Sequence, residues 1–422
     1  MTPSPRLLTP IPGPKSRDLA ARLRQSESPN ITYLADDFPV FWESASGCWV
    51  TDVDGNVFLD LTAAFGVAGV GHSHPDVVAA IQRQSTRLIH GMGDVHPSDV
   101  KVALCERIAS RVPISEARVI LGQNGADAVE AALKTAALAT GRRGVLAFEG
   151  GYHGLSYGAL DATFRDDFKA PFRAQLGAFT SHIPYGCALD DIARIVTTQE
   201  IGAVLVEPIQ GRGGIIVPPS GWLAGLRDLC AAHNVLLIFD EIFTGWGRTG
   251  DWFACQYDDI LPDILCIGKA MGGGMPISAC VAGKDVMSAW PVSLGEALHT
   301  STFLGNPLAC AAALAATDVM SREDLPARAK ESGAYFIHRL QDLQDRYPGH
   351  IHEVRGRGLM LGLKFSSRSF SLDLVTRALR AGLIILPAGD GSVIEFVPPL
   401  IITHEEIDCA IGILDALMRI TA

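Results

Sequence analysis

The stretch Leu236–Gly274, LLIFDEIFTGWGRTGDWFACQYDDILPDILCIGKAMGGG, decides how the rest of the chain is read. Its opening run, Leu236-Leu237-Ile238-Phe239, is too short for a helix with one wetted face. Apolar on both sides, it reads as a central strand of a parallel sheet. Asp240 then falls at the carboxyl end of that strand, where open α/β sheets place their ligands. Ile264-Leu265-Cys266-Ile267 reads as a second such strand and delivers Gly268-Lys269 to the same rim. Small residues around Lys269 leave room for a ligand to come close.

An acid and an amine thus share one cleft. A lysine desolvated there can condense with an aldehyde, and a nearby aspartate can keep a pyridine nitrogen protonated. Those are the two protein groups that pyridoxal phosphate chemistry requires. An isolated Asp-Glu and a Gly-Lys are more often a helix cap and a surface charge, so the remaining rim loops decide.

Outward from this stretch, strands alternate with helices between about residues 98 and 316. Strand-like runs are Ala117–Leu121, Gly144–Phe148, Ala203–Val206 and Ala279–Ala282; Val102–Val112, Asp127–Thr140 and Trp222–His233 carry helical patterns. Alternation of this length predicts an α/β fold, a mainly parallel sheet with helices on both faces. Toward the N-terminus, Phe41–Leu61 reads as a β-meander with a turn at Asp54-Gly55, preceded by a Pro-rich arm. Pro75–Ile89 reads as an amphipathic helix. Toward the C-terminus, helices are expected at Leu325–Tyr347, Leu372–Ala381 and His404–Ile420. Strands are expected at Glu353–Arg357, Met360–Lys364, Ile384–Leu386 and Val393–Val397. The division expected is residues 1–62 (arm and meander, part of a small α+β domain), 63–318 (large domain) and 319–422 (the rest of the small domain).

Four further loops bring polar groups to strand ends. Gly122-Gln123-Asn124-Gly125-Ala126-Asp127 joins a strand to an alanine-rich helix, and the free N–H groups of Gly125 and Ala126 suit a phosphate. Glu149-Gly150-Gly151-Tyr152-His153-Gly154 offers an aromatic ring to stack on a flat heterocycle. Val206-Glu207-Pro208 adds a carboxylate, and Thr300-Ser301-Thr302 adds hydroxyls. Packing alone does not explain such convergence.

Composition excludes other classes. With 46 acidic against 35 basic residues the net charge is −11, and no basic stripe offers a nucleic-acid surface. No apolar run approaches the roughly 20 residues a membrane span needs. The N-terminus lacks the pattern of a secretory signal, so a cytoplasmic setting is expected. Nine scattered cysteines without a C-x-x-C read as small buried hydrophobes, not as a metal or redox site. His72 and His74 lack a third ligand at metal spacing and read as structural.

With GHSHPDVVAAI, NGADAVEAALKTA, GGYHG, VEPIQG, FDEIFTGWGRTG, IGKAMGGG and TSTFLGNPLACAAALA in place, the chain resembles the class III (ω-type) aminotransferases over nearly its whole length. That resemblance implies a fold type I pyridoxal-phosphate-dependent transferase and a homodimer with shared active sites. It implies Lys269 as the Schiff-base lysine and proton carrier, and Asp240 as partner of the pyridinium nitrogen. It further implies Tyr152 and Ile242 on the two ring faces, His153 beside the ring and Glu207 in the polar shell beneath. Gly125 and Ala126 would hold the phosphate, with Thr302 supplied across the dimer. The expected substrates are an amine or amino acid and a keto acid, exchanged by transamination. Racemisation, epimerisation or an aminomutase reaction would use the same lysine, and a non-catalytic binding protein is the remaining alternative.

Departures from the family concern the substrate pocket. Glu395 stands where many members carry a carboxylate-binding arginine, and Arg212 stands where they carry the glutamate that pairs with it. A reciprocal ion pair between the two is the expectation, since a lone buried charge is costly. Phe65 and Leu155 replace two polar grips on carboxylates, which predicts weak activity on ornithine and γ-aminobutyrate.

Overall fold

Seven strands form the central sheet of the protein, a computed structural model that describes residues 4–419. The N-terminal meander is β1 (Trp42–Ser46), β2 (Trp49–Asp52) and β3 (Val57–Asp60). The central sheet contains β4 (Ala117–Gly122), β5 (Gly144–Phe148), β6 (Thr180–Ile183), β7 (Ile201–Val206), β8 (Leu236–Asp240), β9 (Ile264–Ile267) and β10 (Ser278–Gly283). Their order is β4-β10-β9-β8-β7-β5-β6, and β10 alone runs antiparallel to its neighbours. Every residue of β7 and β9 is buried, as are Leu237–Asp240 of β8, which is why these runs are apolar throughout. Helices cover both faces: Gly125–Thr140 packs its alanine face on one side, and Pro307–Arg322 belongs to the larger core on the other.

The C-terminal strands are β11 (Ile351–Arg357), β12 (Met360–Phe365), β13 (Leu383–Ile384), β14 (Leu386–Ala388) and β15 (Val393–Phe396). One strand was expected over Ile384–Leu386; the chain instead changes sheets there. β13 pairs in parallel with β3 of the meander, whereas β14 pairs with β15 in a sheet ordered β11-β12-β15-β14. Pro387 lacks an N–H and is tolerated because β14 is an edge strand.

The Pro-rich arm also differs from expectation, since Pro14–Ser26 is a helix. Pro14 occupies its first turn, and the Asp54 carboxylate accepts from the N–H groups of Lys15 and Ser16 at 2.8 and 2.9 Å. That cap comes from some forty residues downstream, so no local signal announces it. His72 and His74 do structural work. His72 Nε2 meets Asp60 Oδ2 at 2.7 Å, and His74 Nδ1 caps the helix Pro75–Ser85 by accepting from the Asp76 N–H. The last helix spans His404–Arg419, and Ile420, placed in it by the sequence pattern, lies outside the described residues.

Candidate active site

Asp240 ends β8 and is buried, with both carboxylate oxygens engaged. Oδ1 accepts from the Ile242 N–H at 3.1 Å, and Oδ2 lies 2.8 Å from His153 Nδ1. Burial alone would push the His153 imidazole toward neutrality. The hydrogen bond and charge of Asp240, with Glu207 behind, reverse this and raise its pKa. The His153 backbone is anchored as well, its amide N–H donating to Thr163 Oγ1 at 2.9 Å.

Glu207, just beyond the end of β7, is a second buried carboxylate at this rim. Its oxygens accept from the Tyr152 N–H and the Gly211 N–H, both at 3.0 Å, and so tie two rim loops together. Burial raises its pKa, the His153 charge opposes that, and Asp240 adds to it.

Lys269 follows β9 with φ of 45°, a left-handed conformation costly for a side chain with a Cβ. Its Nζ sits 3.8 Å from the centroid of the Phe243 ring. Desolvation lowers its pKa to about 8, against opposing contributions from Asp240, Glu207 and Glu395. The amine is therefore far easier to deprotonate than a surface lysine. A left-handed turn, Ala63–Gly66 with φ between 45 and 79°, lies beside it. A Cβ on Gly66 would come within 2.7 Å of the Phe243 ring and 3.9 Å of Lys269 Cδ. Phe243 is the site component that the sequence reading missed; Phe65 in this turn was expected in the pocket, but four consecutive left-handed residues, three of them not glycine, have no sequence signal.

The anion cradle lies at the start of the helix Gly125–Thr140. Asn124 caps it, its side chain accepting from the Asp127 N–H at 3.1 Å and its carbonyl from Ser278 Oγ at 2.6 Å. Among the described residues the N–H groups of Gly125 and Ala126 have no acceptor, as the first two of a helix. A Cβ on Gly125 would lie 2.9 Å from Ile242 Cδ1, so a side chain there would push Ile242 aside. The residues therefore fit a phosphate-bearing, flat, aldehyde-carrying cofactor: donors for an anion, a buried acid for a ring nitrogen and a depressed amine.

Other predicted pocket residues stand apart. Thr302 is exposed, while Ser301 beside it accepts from Gln123 Nε2 at 2.7 Å. Phe65 and Leu155 are exposed on the single chain. Arg212 and Glu395 do not form the expected ion pair, since no Arg212 nitrogen comes within 4.0 Å of the Glu395 carboxylate. The Arg212 guanidinium lies instead 5.0 Å from the Tyr152 ring centroid, on an exposed turn. Glu395 is buried on β15 and accepts no hydrogen bond on its carboxylate among the described residues.

An anion cradle, a braced acid and a desolvated amine around one sheet rim place the chain in the fold type I class of pyridoxal-phosphate enzymes. It belongs to the class-III aminotransferases, whose family profile matches residues 32–418, and it is a pyridoxal-phosphate-dependent aminotransferase. An acetylornithine aminotransferase of Methanosarcina mazei is 39% identical over 379 residues, covering 89% of this chain and 91% of the relative. The ornithine aminotransferase of Toxoplasma gondii ME49 superposes with a TM-score of 0.88 at 34% identity, over 96% of this chain and 95% of that one. An acetylornithine aminotransferase of Elizabethkingia anophelis gives 0.82 at 30% identity, over 95% and 98%.

Proposed function

We propose that Lys269 Nζ is the amine that holds pyridoxal phosphate and carries the proton between cofactor and substrate. Its pKa, depressed by desolvation, supports this role, because a neutral amine is both nucleophile and base. Asp240, braced by His153 and the Ile242 N–H, keeps a ring nitrogen protonated. Gly125 and Ala126 donate to the phosphate, Tyr152 and Ile242 enclose the ring, and Glu207 fixes the Tyr152 and Gly211 backbones below it. Bound pyridoxal phosphate supplies the electron sink for the pair released when a proton leaves the substrate carbon. Arg212, exposed at the mouth over Tyr152, receives the carboxylate of the keto-acid or amino-acid partner.

The functional unit in this reading is a cytoplasmic homodimer. Ile89, Met92, Val95 and Phe303 are large apolar side chains exposed on one patch. His90 and Phe303 rings sit 5.2 Å apart, and Asn306 Nδ2 donates to the Ile89 carbonyl, so the two segments are contiguous. A second copy is the occupant that such a surface fits, and it would bring its Thr302 toward the neighbouring cradle. The three-part division at residues 62 and 318 accompanies this proposal.

The juxtaposition of Lys269 with the Asp240–His153 pair carries the reading. Borohydride reduction of the cofactor-loaded protein, followed by peptide mass mapping, tests it: the pyridoxyl mass belongs on the peptide containing Lys269. Label on any other lysine, or none, rejects the assignment.

A further inference from the structure

One group at the site has no task in the chemistry above. Glu395 sits near the centre of β15, its backbone paired with Gly362 of β12 and Leu386 of β14, and is only 5% exposed. Buried carboxylates are ordinarily paired or hydrogen-bonded, because an uncompensated buried charge is costly. Asp240, Glu207 and Glu241 each accept two or more hydrogen bonds here, whereas the Glu395 carboxylate accepts none among the described residues and its oxygens keep some contact with solvent, so a ligand can reach them.

Its surroundings connect it to the reacting amine. Phe243, on which Lys269 Nζ rests, packs in one apolar cluster with Met360 and Val397, the latter two residues beyond Glu395. A Cβ on Gly211, next to Arg212, would strike Phe243 and touch Met360. The Arg212 carbonyl in turn accepts from the Gly389 N–H, on the turn that leads into β15. Glu395 therefore belongs to the wall beneath Lys269, and Lys269 and Arg212 are the two cations whose charges reach it. Neither makes a salt bridge with it, and Arg212 is committed to Tyr152.

We propose that Glu395 is the specificity-determining residue for the amino donor and receives a second, non-reacting ammonium group, so that the preferred donors are diamines. The inference rests on the transaminase reading and adds the class of donor. A diamine presents one amine to the Lys269 position and supplies with the other the cation that Glu395 lacks. The keto acid in the opposite half-reaction uses Arg212 instead, so one pocket accepts ligands of both charge signs.

The test compares 1,4-diaminobutane with butylamine, donors of equal length that differ by the second ammonium group, using pyruvate as acceptor near pH 8. The expected kcat/KM ratio favours the diamine by about ten- to a hundredfold, the range that a hydrogen bond between charged groups supplies. In E395Q the ratio falls to within about threefold of unity. A second readout is the melting temperature of the cofactor-free chain, which 1,4-diaminobutane raises more than butylamine in wild type and not in E395Q. A wild-type ratio near one, or a ratio unchanged in E395Q, overturns the proposal. If neither amine reacts while an amino acid such as alanine does, the diamine inference fails and the transaminase stands. If no donor transfers nitrogen at all, both fail.

Discussion

The depressed pKa of Lys269 sets how fast the apoenzyme captures its cofactor, and pH is the simplest perturbation of it. An amine with its pKa at about 8 is about one-tenth neutral at pH 7, whereas one at 10.5 is neutral in only about one molecule in three thousand. Since only the neutral amine attacks the aldehyde, burial on Phe243 gives Lys269 an advantage of about three-hundredfold in reactive fraction. Stopped-flow absorbance would follow pyridoxal phosphate uptake by cofactor-free protein, with the rate of Nα-acetyl-lysine in the same buffers, divided by its own neutral fraction, removing the cofactor's own titration. The normalised rate is expected to rise about tenfold per pH unit to near pH 8 and then level off. Phe243→Ala admits water to Nζ, weakens the desolvation that comes first among the causes of the shift, and moves the break upward by about one unit. A wild-type rate still climbing beyond pH 10, or a break that Phe243→Ala leaves in place, would refute the reasoning.

Other perturbations give distinct outcomes. Gly125→Ala places a methyl 2.9 Å from Ile242 Cδ1 and is expected to weaken cofactor affinity about tenfold, read by equilibrium dialysis; unchanged affinity would remove Gly125 from the cradle. Asp240→Asn removes the anion that raises the His153 pKa and is expected to lower kcat by about a hundredfold or more, with the imidazole pKa falling in an NMR titration; an imidazole pKa no lower than in wild type would contradict the pairing. Glu395, raised by burial to about 7, must ionise to hold a cation, so KM for 1,4-diaminobutane should rise about tenfold per unit as pH falls below that value; a flat profile would exclude it. Ornithine and γ-aminobutyrate, for which Phe65 and Leu155 stand in place of two polar carboxylate grips, should turn over poorly, and a sub-millimolar KM with kcat near about 10 s⁻¹ for either would contradict this.

The parts of the site legible in the sequence were those that a strand end dictates. β7, β8 and β9 are buried on both faces, so their apolar runs marked both the strands and the positions of Glu207, Asp240 and Lys269 just past them. The cradle was legible for a similar reason: a strand, a glycine turn and an alanine-rich helix follow one another without interruption. Long-range contacts were not legible. The cap that Asp54 places on Pro14–Ser26 joins residues far apart in sequence, and nothing local distinguishes a helix there from an extended arm. The switch at Ile385 between two sheets depends on which strands lie nearby, not on the tripeptide itself. Arg212 and Glu395 show the limit of reading charges in pairs. Opposite signs at two suggestive positions pointed to a salt bridge, yet the exposed turn carries Arg212 onto Tyr152 and leaves the carboxylate alone.

Replacing Lys269 with alanine examines the central claim most directly, because it removes the desolvated amine from the rim. The variant should bind pyridoxal phosphate reversibly, resist borohydride fixation and lose at least about a thousandfold in the rate of amino transfer. Amino transfer at the wild-type rate in the alanine variant would contradict the assignment.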